Sequence, residues 1–168
     1  MRKFLAAATL ALLAASCTYP GDPQADMPDD LPDLAADRAR PQLALMDHIL
    51  GEYFAQDVPQ RPTVCASATD GRNQEAFPQG QEVLLIERHK ALAPFARCAY
   101  IDNAWQDSDT GEPAMVFNLH NFTCASETNC TGFGGYAMGV TSSMTYRYTM
   151  EYSGGRWSFA RDPMLTAQ

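Results

Sequence analysis

The strongest constraint on the fold is the strict alternation of apolar and polar residues over positions 144–152. Successive side chains of a strand point to opposite faces, so this pattern predicts a strand with one apolar face. Gly154-Gly155 follows, and this pair tolerates the positive φ angles of the tight turns that join paired strands. The resulting hairpin places two pairs of residues opposite one another on the same face: Tyr152 with Trp157, and Met150 with Phe159.

The aromatic face of this hairpin is predicted to be either part of the core or the wall of a pocket. Its members are Tyr146, Tyr148, Tyr152, Trp157 and Phe159. Aromatic stripes usually pack in a core, but ligand pockets are lined by the same residue types. A soluble domain must cover such a face, and residues 41–56 predict the covering helix because apolar residues recur there at helical spacing. His48 falls on the polar side of that helix and is interpreted as a solvated residue.

The remaining patterns predict an α+β fold. The other predicted elements are a strand at 63–68 before an Asp70-Gly71 turn, a helix at 81–92 of which 83–86 alone could equally be a buried strand, and strands at 98–101 and 114–122. The acidic segment between the last two strands, which includes Asp107 and Asp109, is interpreted as an exposed turn with solvated carboxylates. This order predicts an antiparallel curved sheet packed against one or two helices, in a single domain over residues 38–168.

The early helix, the cysteine-bearing strand and the C-terminal hairpin together resemble known folds. The segments that carry the resemblance are Gly135-Tyr136, Tyr146-Arg147-Tyr148-Thr149-Met150-Glu151 and Gly155-Arg156-Trp157. They are similar to small exported bacterial lipoproteins of unassigned function and to cystatin-like or NTF2-like domains. The second likeness implies a cone of sheet around a helix. Some NTF2-like proteins are enzymes with an Asp-His pair in the pocket, but no such pair can be aligned here, so no catalytic residue is carried over.

Four cysteines follow position 60, namely Cys65, Cys98, Cys124 and Cys130. An even number in an exported chain predicts two disulfides. Three connectivities are possible, of which we favour Cys65 with Cys98 and Cys124 with Cys130. Metal binding by His120 with the last two cysteines is the rival interpretation. Its spacing matches no common zinc motif, so we predict disulfides and no metal.

The N-terminus predicts export. Arg2 and Lys3 precede an apolar stretch at 4–13, which has the length of a signal peptide and is too short to span a membrane. Residues 13–17, Leu-Ala-Ala-Ser-Cys, resemble the lipobox that is cut before an acylated cysteine. The resemblance implies a signal peptide at 1–16, a lipid on Cys17 and, from Thr18 at the sorting position, the outer membrane facing the periplasm. Cleavage by ordinary signal peptidase would instead release a soluble periplasmic or secreted protein.

Residues 17–37 predict an acidic, proline-rich tether. Six aspartates and four prolines lie there without a basic residue, at positions 22, 26, 29, 30, 33 and 37, and at 20, 23, 28 and 32. Repeated prolines and like charges favour an extended spacer. After cleavage, ten Lys and Arg would stand against twenty Asp and Glu, a net charge of −10. This charge argues against nucleic acid and anionic lipid as partners.

No motif in the chain predicts catalysis or a cofactor. Residues 132–137 match the spacing of a dinucleotide fingerprint, but they lead into another strand pattern rather than a helix, so their glycines are expected to allow a bulge, a bend or a close backbone approach. The first functional hypothesis is a non-enzymatic cell-envelope lipoprotein that binds an envelope protein or a small apolar ligand. The alternative is a small periplasmic enzyme with a pocket inside a curved NTF2-like sheet.

Overall fold

A computed structural model of the chain describes residues 31–69 and 74–162. The predicted signal peptide, Cys17, most of the predicted tether and the Asp70-Gly71 turn lie outside the described residues. The described helices are α1 (Pro41–Phe54) and α2 (Gln79–Arg88), with 3-10 turns at Leu34–Ala36 and Phe95–Arg97. The strands are β1 (Thr63–Thr69), β2 (Gln74–Ala76), β3 (Cys98–Ile101), β4 (Ala104–Asp107), β5 (Ala114–Ser126), β6 (Asn129–Gly139), β7 (Ser142–Ser153) and β8 (Arg156–Arg161).

The eight strands of the described ranges form one sheet, and its longest strand pairs lie in the C-terminal half of the chain. The order runs β2, β1, β5, β6, β7, β8, while β4 pairs with the end of β6 at Gly139 and carries β3. The predicted antiparallel pairing is correct for most of the described pairs, but β1 and β5 are parallel. Parallel strands need a long crossover, which α2, β3 and β4 supply here. The fold is therefore α+β with a mostly antiparallel open sheet.

The C-terminal hairpin has the predicted register. Tyr152 pairs with Trp157 and Met150 pairs with Phe159, and the turn residues Gly154 and Gly155 have φ angles of +58° and +82°. The single aromatic face is confirmed, because its members are buried or half-buried against one core: Tyr146, Tyr148, Met150, Tyr152, Trp157 and Phe159. The alternation predicted this face correctly because the period of a strand is a local property of the backbone.

Helix α1 covers the sheet, as predicted, and begins at Pro41. It ends at Phe54, two residues before the predicted end, where Arg61 donates hydrogen bonds to the carbonyl oxygens of Phe54 and Gln56. Residues 132–137 lie inside β6, and one of their glycines allows the expected close approach. A Cβ atom on Gly135 would overlap the backbone carbonyl oxygen of Met144 in β7. A Cβ atom on Gly134 would lie 2.5 Å from Cδ1 of Ile49, so the Ile49 side chain would have to move.

The second predicted helix is present as α2, and the alternative interpretation of 83–86 as a buried strand is wrong. The helix begins after Pro78 and ends at Arg88, because His89 leaves the helical conformation. The helix therefore begins two residues before the predicted start and ends four residues before the predicted end. The short strand β2 was not predicted, since three residues carry too little periodicity to indicate an element.

Part of the predicted tether belongs to the folded domain. Leu34 is completely buried in the core, and the 3-10 turn that holds it is capped by the Asp33 carboxylate. The carbonyl oxygen of Asp37 accepts a hydrogen bond from Trp157 Nε1 at 3.0 Å, and that of Ala36 accepts one from the Tyr152 hydroxyl at 3.1 Å. The folded domain therefore begins before the predicted boundary at residue 38. The acidic composition of this segment indicated a spacer, although its residue Leu34 packs in the core.

Both favoured disulfides are present. Cys65–Cys98 links β1 to β3 across 33 positions of the chain, and Cys124–Cys130 joins paired positions of β5 and β6. The rival zinc site is not formed, because both its thiols are oxidised and the His120 ring stacks on Phe133 at 5.3 Å. Within the described ranges no group of His, Cys, Asp or Glu is arranged to hold a metal ion, and no helix is long and apolar enough to cross a membrane.

Asp107 was wrongly interpreted as a solvated turn residue. It is the last residue of β4 and only 1% exposed. Its carboxylate accepts hydrogen bonds from the Thr63 hydroxyl at 2.5 Å, the Arg97 guanidinium and the backbone N–H of Asp109 at 3.0 Å. Asp109, by contrast, is exposed as expected. The burial of Asp107 has no sequence signal, because Thr63 lies 44 residues away and is brought close only by the sheet.

Replacement of Asp107 by asparagine is expected to lower the urea midpoint of unfolding at pH 7. It should also make that midpoint depend less on pH in the acid range. The Thr63 hydrogen bond, the Asp109 N–H and Arg97 together lower the pKa of Asp107 to about 2, against the effect of burial. A carboxyl with a lowered folded pKa stabilises the fold above its unfolded pKa of about 3.9, and this stabilisation is lost as the pH falls toward about 2. Urea titrations at several pH values over this window measure the effect.

The matched control for this experiment is Asp109→Asn, whose carboxylate is 65% exposed. Its midpoint should follow the wild-type curve closely, because exposed ion pairs contribute little. Parallel curves for Asp107→Asn and wild type between about pH 4 and about pH 2 would show that the buried carboxylate is not linked to folding.

Candidate ligand-binding cavity

A cavity of about 420 Å³ lies between α1 and the sheet. On the helix side it is lined by Ile49, Glu52 and Tyr53, whose spacing places them on one stripe of α1, and by Gln56 just past the helix end. Its sheet wall is formed by residues of β5 to β8: Met115, Phe117, Gly135, Tyr136, Met144, Tyr146, Tyr148 and Arg161. The volume lies within the range of sites for small molecules. The walls combine apolar side chains with tyrosine hydroxyls and with charged and amide groups.

Aromatic rings line the cavity from both the helix and the sheet. The ring centroid of Phe117 lies 5.0 Å from that of Tyr53 and 5.8 Å from that of Tyr136, both in tilted geometry. Phe117 is buried, whereas the two tyrosines are half-buried and face the cavity from the helix and from β6. Tilted aromatic contacts of this kind are favourable and hold the rings in place. The cavity wall is therefore preformed.

Among the described residues, one cation and one anion line the cavity, and they face each other. Nη1 of Arg161 lies 3.5 Å from Oε2 of Glu52, and both side chains are partly exposed. The guanidinium carbon of Arg161 lies 4.6 Å from the ring centroid of Tyr146, and Arg161 is paired in register with Tyr148. Burial, followed by the charge of Glu52, raises the pKa of Tyr148, so its hydroxyl stays protonated at neutral pH.

His48 is not the solvated residue that was predicted. Its ring stacks on Phe159 at 4.3 Å, lies edge-on to Tyr148 at 6.3 Å and is half-buried. Burial lowers its pKa below the ordinary value, so the imidazole is neutral at pH 7. Nε2 lies 3.5 Å from the Glu52 carboxylate. The apolar face of α1 is wider than the periodicity indicated, and the histidine packs against the hairpin at its edge.

The predicted aromatic residues divide between the cavity and the core. Tyr146 and Tyr148 line the cavity, whereas Tyr152 packs edge-on against the buried Trp157. Trp157 and Phe159 border a separate recess on the other side of α1. The predicted face is thus mostly core and becomes cavity wall only where β7 passes the C-terminal end of α1.

Several residues of the cavity were not predicted as site residues. Arg161 had a usable signal, because it continues the period-two pattern of Trp157 and Phe159. Glu52 and Tyr53 lie on the predicted helix. The spacing of apolar residues does not indicate which part of the helix faces a cavity and which part packs against the sheet. Phe117 and Tyr136 lie far from the hairpin in sequence and reach the cavity only through the pairing of β5 and β6.

An Asp-His pair is present, but it lies away from the cavity. Oδ1 of Asp47 is 2.8 Å from both His89 Nε2 and Arg88 Nε, and Arg88 also donates to the carbonyl oxygen of Pro32. Although burial opposes it, the hydrogen bonds from His89 and Arg88 lower the pKa of Asp47. The pair connects α1 to the end of α2 and to the N-terminal segment. It is a structural contact between elements, and Asp47 borders the recess beside Trp157 instead of the cavity.

A larger recess, of about 650 Å³, lies beside the Cys124–Cys130 disulfide. Its lining residues are Ala36, Asp37, Arg38, Ala39, Pro41, Cys124, Ser126, Glu127 and Cys130. These contribute no aromatic ring, and Arg38 and Glu127 form an exposed ion pair. Because small-molecule sites depend on apolar and aromatic walls, the smaller cavity under α1 is the better candidate.

Comparison of the chain with protein-family models, with curated protein sequences and with solved structures gives no significant match.

Proposed function

We propose that this chain is a non-enzymatic lipoprotein of the bacterial cell envelope whose domain binds a small ligand with an apolar or aromatic body. The observation that carries the proposal is the cavity under α1, with its preformed aromatic wall of Phe117, Tyr53 and Tyr136. Sites of this composition bury most of a small ligand and orient it with a few polar contacts.

The placement of charged groups supports binding over catalysis. Arg161 and Glu52 face each other, and His48 stacks on Phe159 at one edge of α1. The closest acid–imidazole contact, between Asp47 and His89, is used to hold the helices together outside the cavity. A helix lying across a mostly antiparallel sheet, with the cavity between them, also supports the NTF2-like or cystatin-like architecture as part of this proposal.

Direct binding of a neutral apolar probe tests this function. The full-length chain carrying Cys17→Ser, which this proposal expects to need no detergent, should bind N-phenyl-1-naphthylamine at a single saturable site with increased probe fluorescence. Tyr136→Ala should weaken binding about tenfold, because loss of one aromatic contact corresponds to about 1.4 kcal/mol. Tyr100→Ala is the matched control, since this tyrosine is exposed on β3 and does not line the cavity. An equal loss of probe affinity in the Tyr136→Ala and Tyr100→Ala variants, or the absence of saturable binding, would contradict the proposal.

The lipid anchor is the second part of the proposal and rests on the lipobox-like residues 13–17. The two disulfides are compatible with an oxidising compartment outside the cytoplasm. A Cys17→Ser variant should lose its membrane association, because only the acyl chains of a processed lipoprotein attach the domain stably to a bilayer. Fractionation of cells that express wild type or variant measures this. Recovery of the wild type in the soluble fraction would favour plain secretion, with the outer-membrane assignment then also wrong.

A further inference from the structure

We propose that the cavity selects ligands that carry a carboxylate, which the guanidinium of Arg161 binds at the mouth while an apolar or aromatic body lies among the tyrosines. This inference rests on the proposed binding function and specifies its ligand class.

The position of Arg161 is fixed before any ligand enters. It is paired in register with Tyr148, and its guanidinium lies over the ring of Tyr146 at 4.6 Å. A guanidinium that is stacked on an aromatic face loses little further freedom when it binds a planar anion. The arginine is therefore preorganised for a carboxylate.

Hydrogen-bonding capacity remains on this guanidinium. A guanidinium has five N–H donors. The Glu52 oxygen lies 3.5 Å away, which is longer than an ordinary charge-assisted hydrogen bond of about 2.7–2.9 Å. The side chain is 49% exposed, so a ligand can reach the remaining donors from the mouth of the cavity. A carboxylate that binds both nitrogens of the fork matches this geometry.

The local balance of charge favours an anion, although the whole chain is acidic. A second arginine, Arg61, lies 5.5 Å from the ring centroid of Tyr53 on the helix wall and covers the carbonyl oxygens at the end of α1. Arg61 does not line the cavity, but its charge lies behind Tyr53 and adds to that of Arg161, whereas Glu52 is the carboxylate among the described lining residues. The chain as a whole carries a net charge of −8. His48 adds no negative charge, and the Tyr53 and Tyr136 hydroxyls are further possible donors.

Removal of the Glu52 charge should change the affinities for an anionic and a cationic ligand in opposite directions, and this tests the proposal. A ligand carboxylate would compete with Glu52 for Arg161 and be repelled by it. Removal of the Glu52 charge should therefore strengthen the binding of an anion. The same change would weaken the binding of a cation. A ligand with both charges would lose affinity when either residue is changed.

Three indole compounds that differ mainly in charge provide the probes: indole-3-acetate, neutral indole-3-ethanol and cationic tryptamine. Calorimetric titration of the full-length protein at low salt and pH 7.5 should give the tightest binding for indole-3-acetate. Its preference over indole-3-ethanol should be about tenfold, the size expected for one charge-assisted contact. Arg161→Met should reduce this preference to about one, and Glu52→Gln should increase it.

Arg147→Met is the matched control, because it removes the same charge from the exposed opposite face of β7. It should keep the tenfold preference, and circular dichroism should show equal thermal midpoints for the two arginine variants. Tighter binding of tryptamine than of indole-3-acetate, or an unchanged preference in Arg161→Met, would overturn carboxylate selection and leave the proposed function intact. Failure of all three compounds and of the neutral probe to bind would instead overturn the proposed function.

Discussion

Replacement of Trp157 by alanine should lower the free energy of unfolding by about 3–5 kcal/mol. The indole is 4% exposed and lies edge-on to Tyr152, with ring centroids 5.2 Å apart. Its Nε1 donates to the carbonyl oxygen of Asp37 at 3.0 Å and so attaches the N-terminal turn to β8. The variant loses the buried apolar area, leaves a void and deprives that carbonyl oxygen of its donor. Urea unfolding followed by circular dichroism measures the change.

Two further variants separate the causes of this loss. Trp157→Phe keeps most of the apolar volume but loses the hydrogen bond, so it should cost about 1–3 kcal/mol. Arg147→Ala, on the exposed face of the neighbouring strand, should stay within about 0.5 kcal/mol of wild type. A stable Trp157→Ala together with a strongly destabilised Arg147→Ala would mean that the two faces of the hairpin are reversed. A stable Trp157→Ala that no longer binds the apolar probe would make the aromatic stripe a binding surface.

Replacement of Gly135 by alanine should destabilise the domain by at least about 3 kcal/mol, at or above the usual range for overpacking. Gly135 pairs with Thr145 between β6 and β7, and a Cβ there would overlap the carbonyl oxygen of Met144. It would also lie 2.8 Å from the Cα of Thr145. These are backbone atoms within a hydrogen-bonded ladder, so no change of rotamer relieves the contact. The strands must separate locally at the floor of the cavity.

Gly80→Ala is the control with the opposite sign. This glycine lies in α2, and an added Cβ meets no atom within 4 Å. Alanine there should be neutral or stabilise the domain by up to about 1 kcal/mol, because it restricts the unfolded chain. Urea unfolding of the two variants measures this. The midpoint should fall in Gly135→Ala and stay the same or rise in Gly80→Ala. A Gly135→Ala domain within about 1 kcal/mol of wild type would show that β6 and β7 do not approach so closely.

The sequence by itself determined the features that depend on neighbours in the chain. Alternation over 144–152 and the Gly154-Gly155 turn predicted the register of the final hairpin, since both strand period and turn geometry are local. Apolar residues at helical spacing predicted α1. The even number of cysteines predicted two disulfides, and the short separation of Cys124 and Cys130 favoured the connectivity that is found.

Other features were decided only by the tertiary structure, because they depend on residues far apart in the chain. Nothing near Thr63 or Ala114 indicates that their strands lie parallel, and this pairing brings Thr63 to Asp107 and buries a carboxylate that looked solvated. The burial of Leu34 likewise depends on the distant hairpin that carries Trp157. The cavity arises where α1 and β5 to β8 leave a space unfilled. Pattern indicates which face of an element is apolar, whereas only the packed elements show where that face meets another side chain and where it meets open volume.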